Sequence, residues 1–440
     1  MKESRLAGLP FFYGWMIVGL GVISTAFWMG IITSFSVFFV ALTEEFHWSR
    51  GSTAGVQSVA LLTYTAMAPI VGRLIDYHGP KKTILPGIVL LSVGLALCSL
   101  VQSLLIFYIF YGVLVAIGFT FVSIVSYSTI LSYWFERRRG IASGIAVSGM
   151  GLGTFILVPL CQYFISSYGW RFSYLCFGAL AFCILFPLSA LLLKHKPEEL
   201  GLRVDGAAIG GKRRMRQVHV IDTGWANTAW TVSKAVRQAR FWAFLGFCFL
   251  SMTGLYGLLI HEVRFLVDCG LETMTAAYIV SLVGIISLFA RIFWGWLSDR
   301  IGRESTVTAG TAFLSAAAVF LLLLGRCHEA HVYVYLFALT FGLGWAVMAP
   351  MFMAVAADMF QGRNFGSIYG VVEAVIGSGS AVGAWLAGFI YDKTDSYSVA
   401  FLYTAIVSLI SCLFVWIAGP GRIRRTRVVH PQEITGEGSP

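Results

Sequence analysis

Charge is what this chain has least of: only 12% of its 440 residues are Asp, Glu, Lys or Arg, about half of the roughly 25% usual in soluble domains. With 58% hydrophobic residues and a mean hydropathy of +0.80, that shortage excludes a water-solvated surface for most of the chain. Paired cysteines are missing as well. The eight cysteines (Cys98, Cys161, Cys176, Cys183, Cys248, Cys269, Cys327 and Cys412) are scattered without C-x-x-C spacing, so they read as buried small hydrophobes and indicate neither a metal nor a redox centre. No H-E-x-x-H motif, Ser/His/Asp set or pair of catalytic acids is present, so no enzymatic chemistry is indicated and no cofactor is expected. The first ten residues lack a cleavable signal pattern, and the first apolar run is too long for a signal peptide. It reads as a retained first span.

Long apolar runs are what the chain does have. Stretches such as 83–105, 173–193, 306–325 and 400–418 carry no formal charge, and about 20 residues suffice to cross a hydrocarbon core of roughly 30 Å as helix. Polar breaks divide the sequence into twelve predicted spans: 12–41, 53–75, 83–105, 107–134, 140–165, 172–193, 241–265, 274–297, 305–325, 332–357, 364–391 and 398–419. The runs are continuous and rich in Gly and Ala, unlike the dyad alternation of a membrane β-barrel. The expected fold class is therefore an all-α polytopic membrane protein.

Of the 31 basic residues, 25 fall in the N-terminus, the even-to-odd loops and the C-terminus. Only Arg50, Arg171, Arg264, Arg326 and Lys393 lie in the opposite loops, and Arg291 lies inside a span. The positive-inside rule then places both termini in the cytoplasm, and the compact loops point to a bacterial inner membrane. The net charge of +10 follows from this topology. Nucleic acid is not expected as a partner, because the short loops leave no room for a basic face on a folded domain. The lipid bilayer is the expected environment, and no obligate protein partner is indicated.

Two segments occur twice. Gly72, Asp76 and Gly79, followed by Lys81 and Lys82, form a G-x-x-x-D-x-x-G loop after span 2; Gly295, Asp299 and Gly302, followed by Arg303, repeat it after span 8. Arg138, Arg139, Gly140 and Gly144 at the start of span 5 are echoed by Arg363, Gly366 and Gly370 at the start of span 11. These echoes divide the chain into an N-terminal six-span bundle (1–193), a cytoplasmic linker (194–240), a C-terminal six-span bundle (241–421) and a C-terminal tail (422–440). The linker holds ten Lys/Arg and a Gly-Gly at 210–211, with a surface-lying amphipathic helix expected near 223–240. Asp76 and Asp299 sit at helix ends, where they can pair with basic residues or accept N-terminal amides of a neighbouring helix. With Arg138 and Arg139 they are the candidates for a conformational latch; the same motif also serves as a turn and a topology determinant. Gly144, Gly149, Gly151 and Gly153, echoed by Gly377, Gly379 and Gly383, lie inside apolar helices with no preceding strand. Their spacing means close helix packing and not a phosphate loop.

The repeated loop resembles the hallmark of the major facilitator superfamily, which carries G-x-x-x-D-x-x-G-[RK] between spans two and three and a degenerate copy between eight and nine. The likeness covers essentially the whole chain, and it implies two pseudo-symmetric six-helix bundles. Tyr13-Gly14-Trp15, the segment from Trp134 to Gly144, Gly169-Trp170-Arg171, and Ala290-Arg291 with Gly295 look like the monocarboxylate transporters and their oxalate/formate antiporter relatives. The resemblance implies a secondary transporter of a small organic anion working by alternating access.

A charge at bilayer depth costs roughly 2.5–3.5 kcal/mol on insertion scales, so it faces a cavity or a partner. Arg291 lies about 12 Å of helix before Asp299, and Glu373 about 15 Å after Arg363, which puts both near the midplane. The planar fork of Arg matches a carboxylate at two points, making Arg291 the first candidate for substrate binding; the resemblance implies the same role. Permanent pairing with Glu373 is the alternative. The antiporters carry a Lys in this part of span 11, whereas no intramembrane Lys occurs here, which weakens a dicarboxylate-exchange reading. One Arg with one acid suits a monoanion such as lactate, pyruvate or an aromatic acid moved with a proton, Glu373 neutralising Arg291 in the empty carrier and being protonated as substrate arrives. The proton is the coupling ion expected. His261 is a second candidate for substrate or proton binding; similar bacterial relatives imply a His there. Tyr127, among Ser123, Ser126 and Ser128, offers a hydroxyl to the same cavity or packs between helices. Ser287, one turn before Arg291, is a further donor. Organic-anion exchange and a carrier-derived membrane sensor are the competing functions, the latter disfavoured by the lack of an appended domain.

Overall fold

The structure, a computed structural model, describes residues 12–135, 139–202, 204, 218–326, 332–360 and 365–426. Twelve of its helices are long and apolar enough to span a membrane. They are α1 (Gly14–Phe46), α2 (Arg50–His78), α3 (Pro80–Cys98), α4 (Leu104–Trp134), α5 (Arg139–Tyr168), α6 (Trp170–Leu192), α7 (Ala239–Leu259), α8 (Thr273–Ile301), α9 (Arg303–Leu324), α10 (Val332–Phe360), α11 (Phe365–Thr394) and α12 (Ser398–Ala418). Helix is the natural answer for such a sequence, because lipid offers no hydrogen bonds and the backbone must satisfy itself within each segment. Pro69, Pro86, Pro159 and Pro350 sit inside spans, where neighbouring helices tolerate them.

The repeat seen in the sequence is a repeat in packing. α1 packs on α5 and α7 on α11, while the halves meet through α2 against α11 and α5 against α8. Close approach at equivalent places makes the first two contacts possible. A Cβ on Gly153 would strike the Ala26 carbonyl of α1, and one on Gly383 would strike the Thr253 carbonyl of α7. Thr25 Oγ1 donates to Ala146 O at 2.6 Å, and Thr253 Oγ1 to Gly379 O at 3.1 Å, the interhelical bonds that small-residue interfaces permit. Gly383→Val is expected to prise α7 from α11 and cost about 1–3 kcal/mol of overpacking, read as a lowered unfolding temperature in detergent. An unchanged transition would refute the close contact.

The duplicated loops adopt one conformation. Gly79 (φ 82°, ψ 157°) and Gly302 (φ 91°, ψ 162°) each end one span and start the next, a left-handed backbone that favours glycine. Asp76 is met by the Tyr133 hydroxyl of α4, and Asp299 by Arg303 Nη1 at 3.2 Å. Arg303 Nε also reaches Asp358 of α10 at 3.0 Å, tying three helix ends together. Of the expected latch cations, Arg138 lies outside the described residues and Arg139 begins α5.

Two expectations are corrected. No single amphipathic helix occupies 223–240: two one-turn helices, Thr223–Ala226 and Val232–Ala235, replace it, because Asp222 and then Thr231 each cap a new start by accepting from Trp225 N and Lys234 N. This part of the linker is pinned by Trp225, whose Nε1 donates to Met359 O at 2.7 Å. Span 4 is discontinuous. It passes through a π-helical stretch, Tyr108–Val115, and breaks at Val122–Ser123 before resuming as Ile124–Trp134. The Thr120 carbonyl at the break accepts from Ser123 N and from the hydroxyls of Ser123 and Ser126, which is how buried non-helical backbone survives at membrane depth. Apart from the spans, Val218–Val220 of the linker pairs antiparallel with Arg424–Thr426 after α12.

Candidate functional site

The two halves are joined at the end of the molecule opposite the linker, here called the far side. Arg50 at the start of α2 pairs with Asp268, in a short helix (Glu262–Asp268) after α7. The Arg50 guanidinium carbon also lies 3.6 Å from the Tyr391 ring centroid and 5.1 Å from that of Tyr397. The amides of Arg50 and Gly51 donate to the two carboxylate oxygens of Asp392, both at 2.8 Å. Arg264 binds Glu44 of α1 at 2.8 Å, and Gln162 Nε2 reaches Thr273 Oγ1 at 3.1 Å. Deeper in, Ser58 donates to Ala381 O and Ser281 to Phe155 O, each at 2.7 Å. The innermost such bond between described residues is from Arg291 Nη1 to Val147 O, 3.2 Å. The far side is therefore shut.

Arg291 stands where that closure ends. It is 7% exposed, and its guanidinium carbon lies 5.3 Å from the Trp345 ring centroid of α10. Nε and Nη2 have no hydrogen-bond partner. A carbonyl and an aromatic face are the whole of its support among the described residues, so a buried full charge lacks a counter-ion. Such a charge is worth several kcal/mol of desolvation, and a carboxylate offered to the free edge of the fork recovers it.

Glu373 does not neutralise Arg291 here, contrary to the expectation from equal depth. No ion pair links them among the described residues; half-buried Glu373 instead has Tyr369, one turn earlier on α11, beside its carboxyl, with Tyr64 of α2 and Cys248 of α7 as electrostatic neighbours. The reason lies in the packing: α8 packs against α5 and α10, whereas α11 packs against α2 and α7, so the two side chains stand on helices with different neighbours.

The remaining candidates separate. Ser287 is buried one turn from Arg291, its hydroxyl donating to Gly284 O of its own helix at 2.9 Å. Tyr127 does not face the space between the halves. Its hydroxyl accepts from Ser24 of α1 at 2.7 Å, with Ser189 of α6 alongside, so the N-terminal bundle has taken it for interior packing. His261 is fully buried within the far-side closure: Nε2 donates to Ala384 O at 3.0 Å, which leaves Nδ1 to accept from the Tyr397 hydroxyl at 3.0 Å. Phe39 of α1 packs edge-on against the ring. Both nitrogens are occupied, away from Arg291.

Other residues were not singled out by sequence reasoning. Trp28 of α1 is 7% exposed with Nε1 unpartnered, its ring 5.6 Å from Tyr64, and Tyr64 is in turn beside Ser123 at the break in α4. Glu262 is 0% exposed, and neither carboxylate oxygen has a partner. An ionised carboxylate in that position carries several kcal/mol of uncompensated desolvation. The signal in the sequence was an acid beside His261 at a span end, which reads as a polar helix cap.

Two equivalent six-helix bundles, sealed at one end above a buried cation with no counter-ion among the described residues, define the architecture of a polytopic membrane carrier. The chain belongs to the Major Facilitator Superfamily, whose profile matches residues 16–360 and 330–436. It is similar to monocarboxylate transporter 2 of Mesocricetus auratus (25% identical over 418 residues, 92% of this chain and 84% of that one) and monocarboxylate transporter 13 of Bos taurus (26% over 393 residues, 89% and 85%). Monocarboxylate transporter 12 of Homo sapiens is 27% identical over 441 residues, covering 97% and 84%. A crystal structure of a bacterial homolog of the human lysosomal transporter Spinster, inward-facing and unoccupied, shares the fold at a TM-score of 0.65 and 16% identity, over 94% of this chain and 97% of that one.

Proposed function

We propose that this protein moves a small monocarboxylate, of the lactate, pyruvate or aromatic-acid type, together with a proton, by alternating access between its two bundles. The observation that carries the reading is Arg291: a buried guanidinium at the inner limit of the closed far side, with Nε and Nη2 unpaired, is a receptor for one carboxylate and a poor site for a neutral or cationic solute. The names of the related transporters agree with it. The excess of Lys/Arg on the linker side favours cytoplasmic termini in a bacterial inner membrane, so the described state opens inward. Bundle boundaries at 193 and 241 with the linker between follow the same reading.

Glu373 is the proposed cavity acid. Half-buried beside Tyr369, it is placed to take a proton without displacing Arg291 from the substrate. The test is uptake of labelled monocarboxylates into proteoliposomes with and without an inward-acid pH gradient. Accumulation above equilibrium with the gradient is expected, and Glu373→Gln is expected to abolish accumulation while leaving exchange at equal pH. Gradient-driven accumulation by Glu373→Gln at the level of the unsubstituted protein removes Glu373 from the mechanism. Rapid exchange with no response to the gradient supports anion antiport instead.

A further inference from the structure

The linker carries a cleft that the site around Arg291 does not use. A hollow of about 300 Å³ is lined by Trp225 and Trp230 and, on the side leading to α7, by Lys234, Arg237 and Gln238. Its aromatic part is built. The two indole rings lie 4.5 Å apart between centroids, Trp230 Nε1 donates to Trp225 O at 3.1 Å, and Trp225 Nε1 donates to Met359 O near the end of α10. The acid in the lining, Asp222, is already engaged: it accepts from Trp225 N at 2.9 Å and faces Arg240 Nη1 at 4.0 Å. Lys234 and Arg237 are exposed and have no acidic partner among the described residues, Lys234 Nζ donating only to Ala229 O at 3.1 Å. The cleft therefore presents uncompensated positive charge beside aromatic faces.

Its position narrows the partner. Gln238 is the residue before α7, so the wall that holds Lys234 and Arg237 runs directly into a membrane span. Trp242, 60% exposed in the first turn of that span, donates its indole N–H to Val236 O at 2.7 Å, which sets this segment at the level where interfacial tryptophans lie. Val236, between the two cations in sequence, and Ile221, beside Asp222, are 38% and 46% exposed. A soluble anion would satisfy the cations and leave that apolar surface in water. A lipid covers both.

We propose that this cleft binds the headgroup of an anionic phospholipid, the phosphate meeting Lys234 and Arg237 and the glycerol backbone lying against Trp225 and Trp230. The contact with the bilayer surface expected of an amphipathic helix over 223–240 is then made by a cleft between two shorter helices. Because Trp225 is bonded to the end of α10, an occupied cleft fastens the linker to the C-terminal half. The inference requires only that α7 crosses the membrane, and it stands whichever solute the carrier moves.

The test titrates the purified full-length protein, in uncharged detergent, with dioctanoyl phosphatidylglycerol, dioctanoyl phosphatidylcholine, glycerol 3-phosphate and inorganic phosphate. Bound lipid is counted by native mass spectrometry, and occupancy is followed by thermal shift. Phosphatidylglycerol is expected to bind and stabilise, and the other three to do so weakly or not at all. Joint replacement Lys234→Ala and Arg237→Ala is expected to weaken its binding about 30-fold, roughly fivefold per cation, from the attraction of a juxtamembrane Lys or Arg to an anionic surface. Lys81→Ala with Lys82→Ala, which removes the same charge from the loop after α2, is expected to leave it unchanged. Equal weakening in both pairs means general attraction to a basic surface and overturns the proposal. So does unaltered binding in the Lys234 and Arg237 pair, an absence of phosphatidylglycerol binding in the parent, or equal stabilisation by glycerol 3-phosphate or inorganic phosphate, which marks a soluble-anion site. An unchanged melting temperature without lipid shows that the paired variant is folded.

Discussion

Arg291→Ala is expected to lower monocarboxylate uptake by roughly 30-fold to several thousand-fold, the range given by the 2–5 kcal/mol lost when one member of a buried, hydrogen-bonded charge pair is truncated. The folded carrier itself should suffer little. Among the described residues Arg291 has one carbonyl contact across the halves and no acid to orphan, so removing it deletes a buried charge without exposing its opposite. That separates Arg291 from an ordinary structural arginine, whose loss destabilises by leaving its partner unpaired. Arg291→Lys keeps the charge but not the planar fork, and should fall between the parent and Arg291→Ala. Binding is checked by ligand-induced thermal shift across a panel of carboxylates, which scales with occupancy. Stabilisation by a carboxylate that survives Arg291→Ala intact would place the substrate elsewhere.

Arg50→Ala is expected to have the second largest effect, with the opposite character: a change of state and not of affinity for the bound anion. Arg50 joins Asp268 and the rings of Tyr391 and Tyr397 to α2, and its side chain is 12% exposed against 28% for Asp268. Discounted for that partial solvation, loss of the pair and the ring contact is worth about 1–3 kcal/mol, enough to move a two-state gate by roughly 5- to 150-fold. Distances across the far side should lengthen, and uptake limited by inward return should slow. Asp268→Asn should act in the same direction and less than additively with Arg50→Ala, because the two share one interaction. Additive effects of the two substitutions, or an unmoved distance distribution, would show that the closure rests on α2–α11 packing and not on Arg50.

These predictions draw on different levels of the molecule. The twelve spans, their helical class, the duplication around Asp76 and Asp299, and the glycine faces of α5 and α11 were all legible in the sequence. Each depends on local chemistry: run length against bilayer thickness, a turn that favours glycine, and a stripe without side chains. Arg291 was legible for the same reason, since a charge inside a 29-residue apolar helix is conspicuous wherever the helix goes. The break in α4 was not, because Ser123 and Ser126 are also ordinary interior residues of a helix, and only the hydrogen bonds taken by Thr120 distinguish the two cases.

Direction around the helix axis is what tertiary structure decided. Depth can be counted at 1.5 Å per residue, which is why Arg291 and Glu373 are expected at one level, but which helices α8 and α11 face is settled by packing over the whole bundle, and no ion pair joins the two among the described residues. The same information turned Tyr127 inward to Ser24, gave both nitrogens of His261 to Ala384 and Tyr397, and left Glu262 buried without a partner. The sequence by itself determined that this chain crosses a membrane twelve times as two related halves, and that the second half brings charge into it. Which of those charges meet and which stay alone depended on contacts between helices distant in sequence.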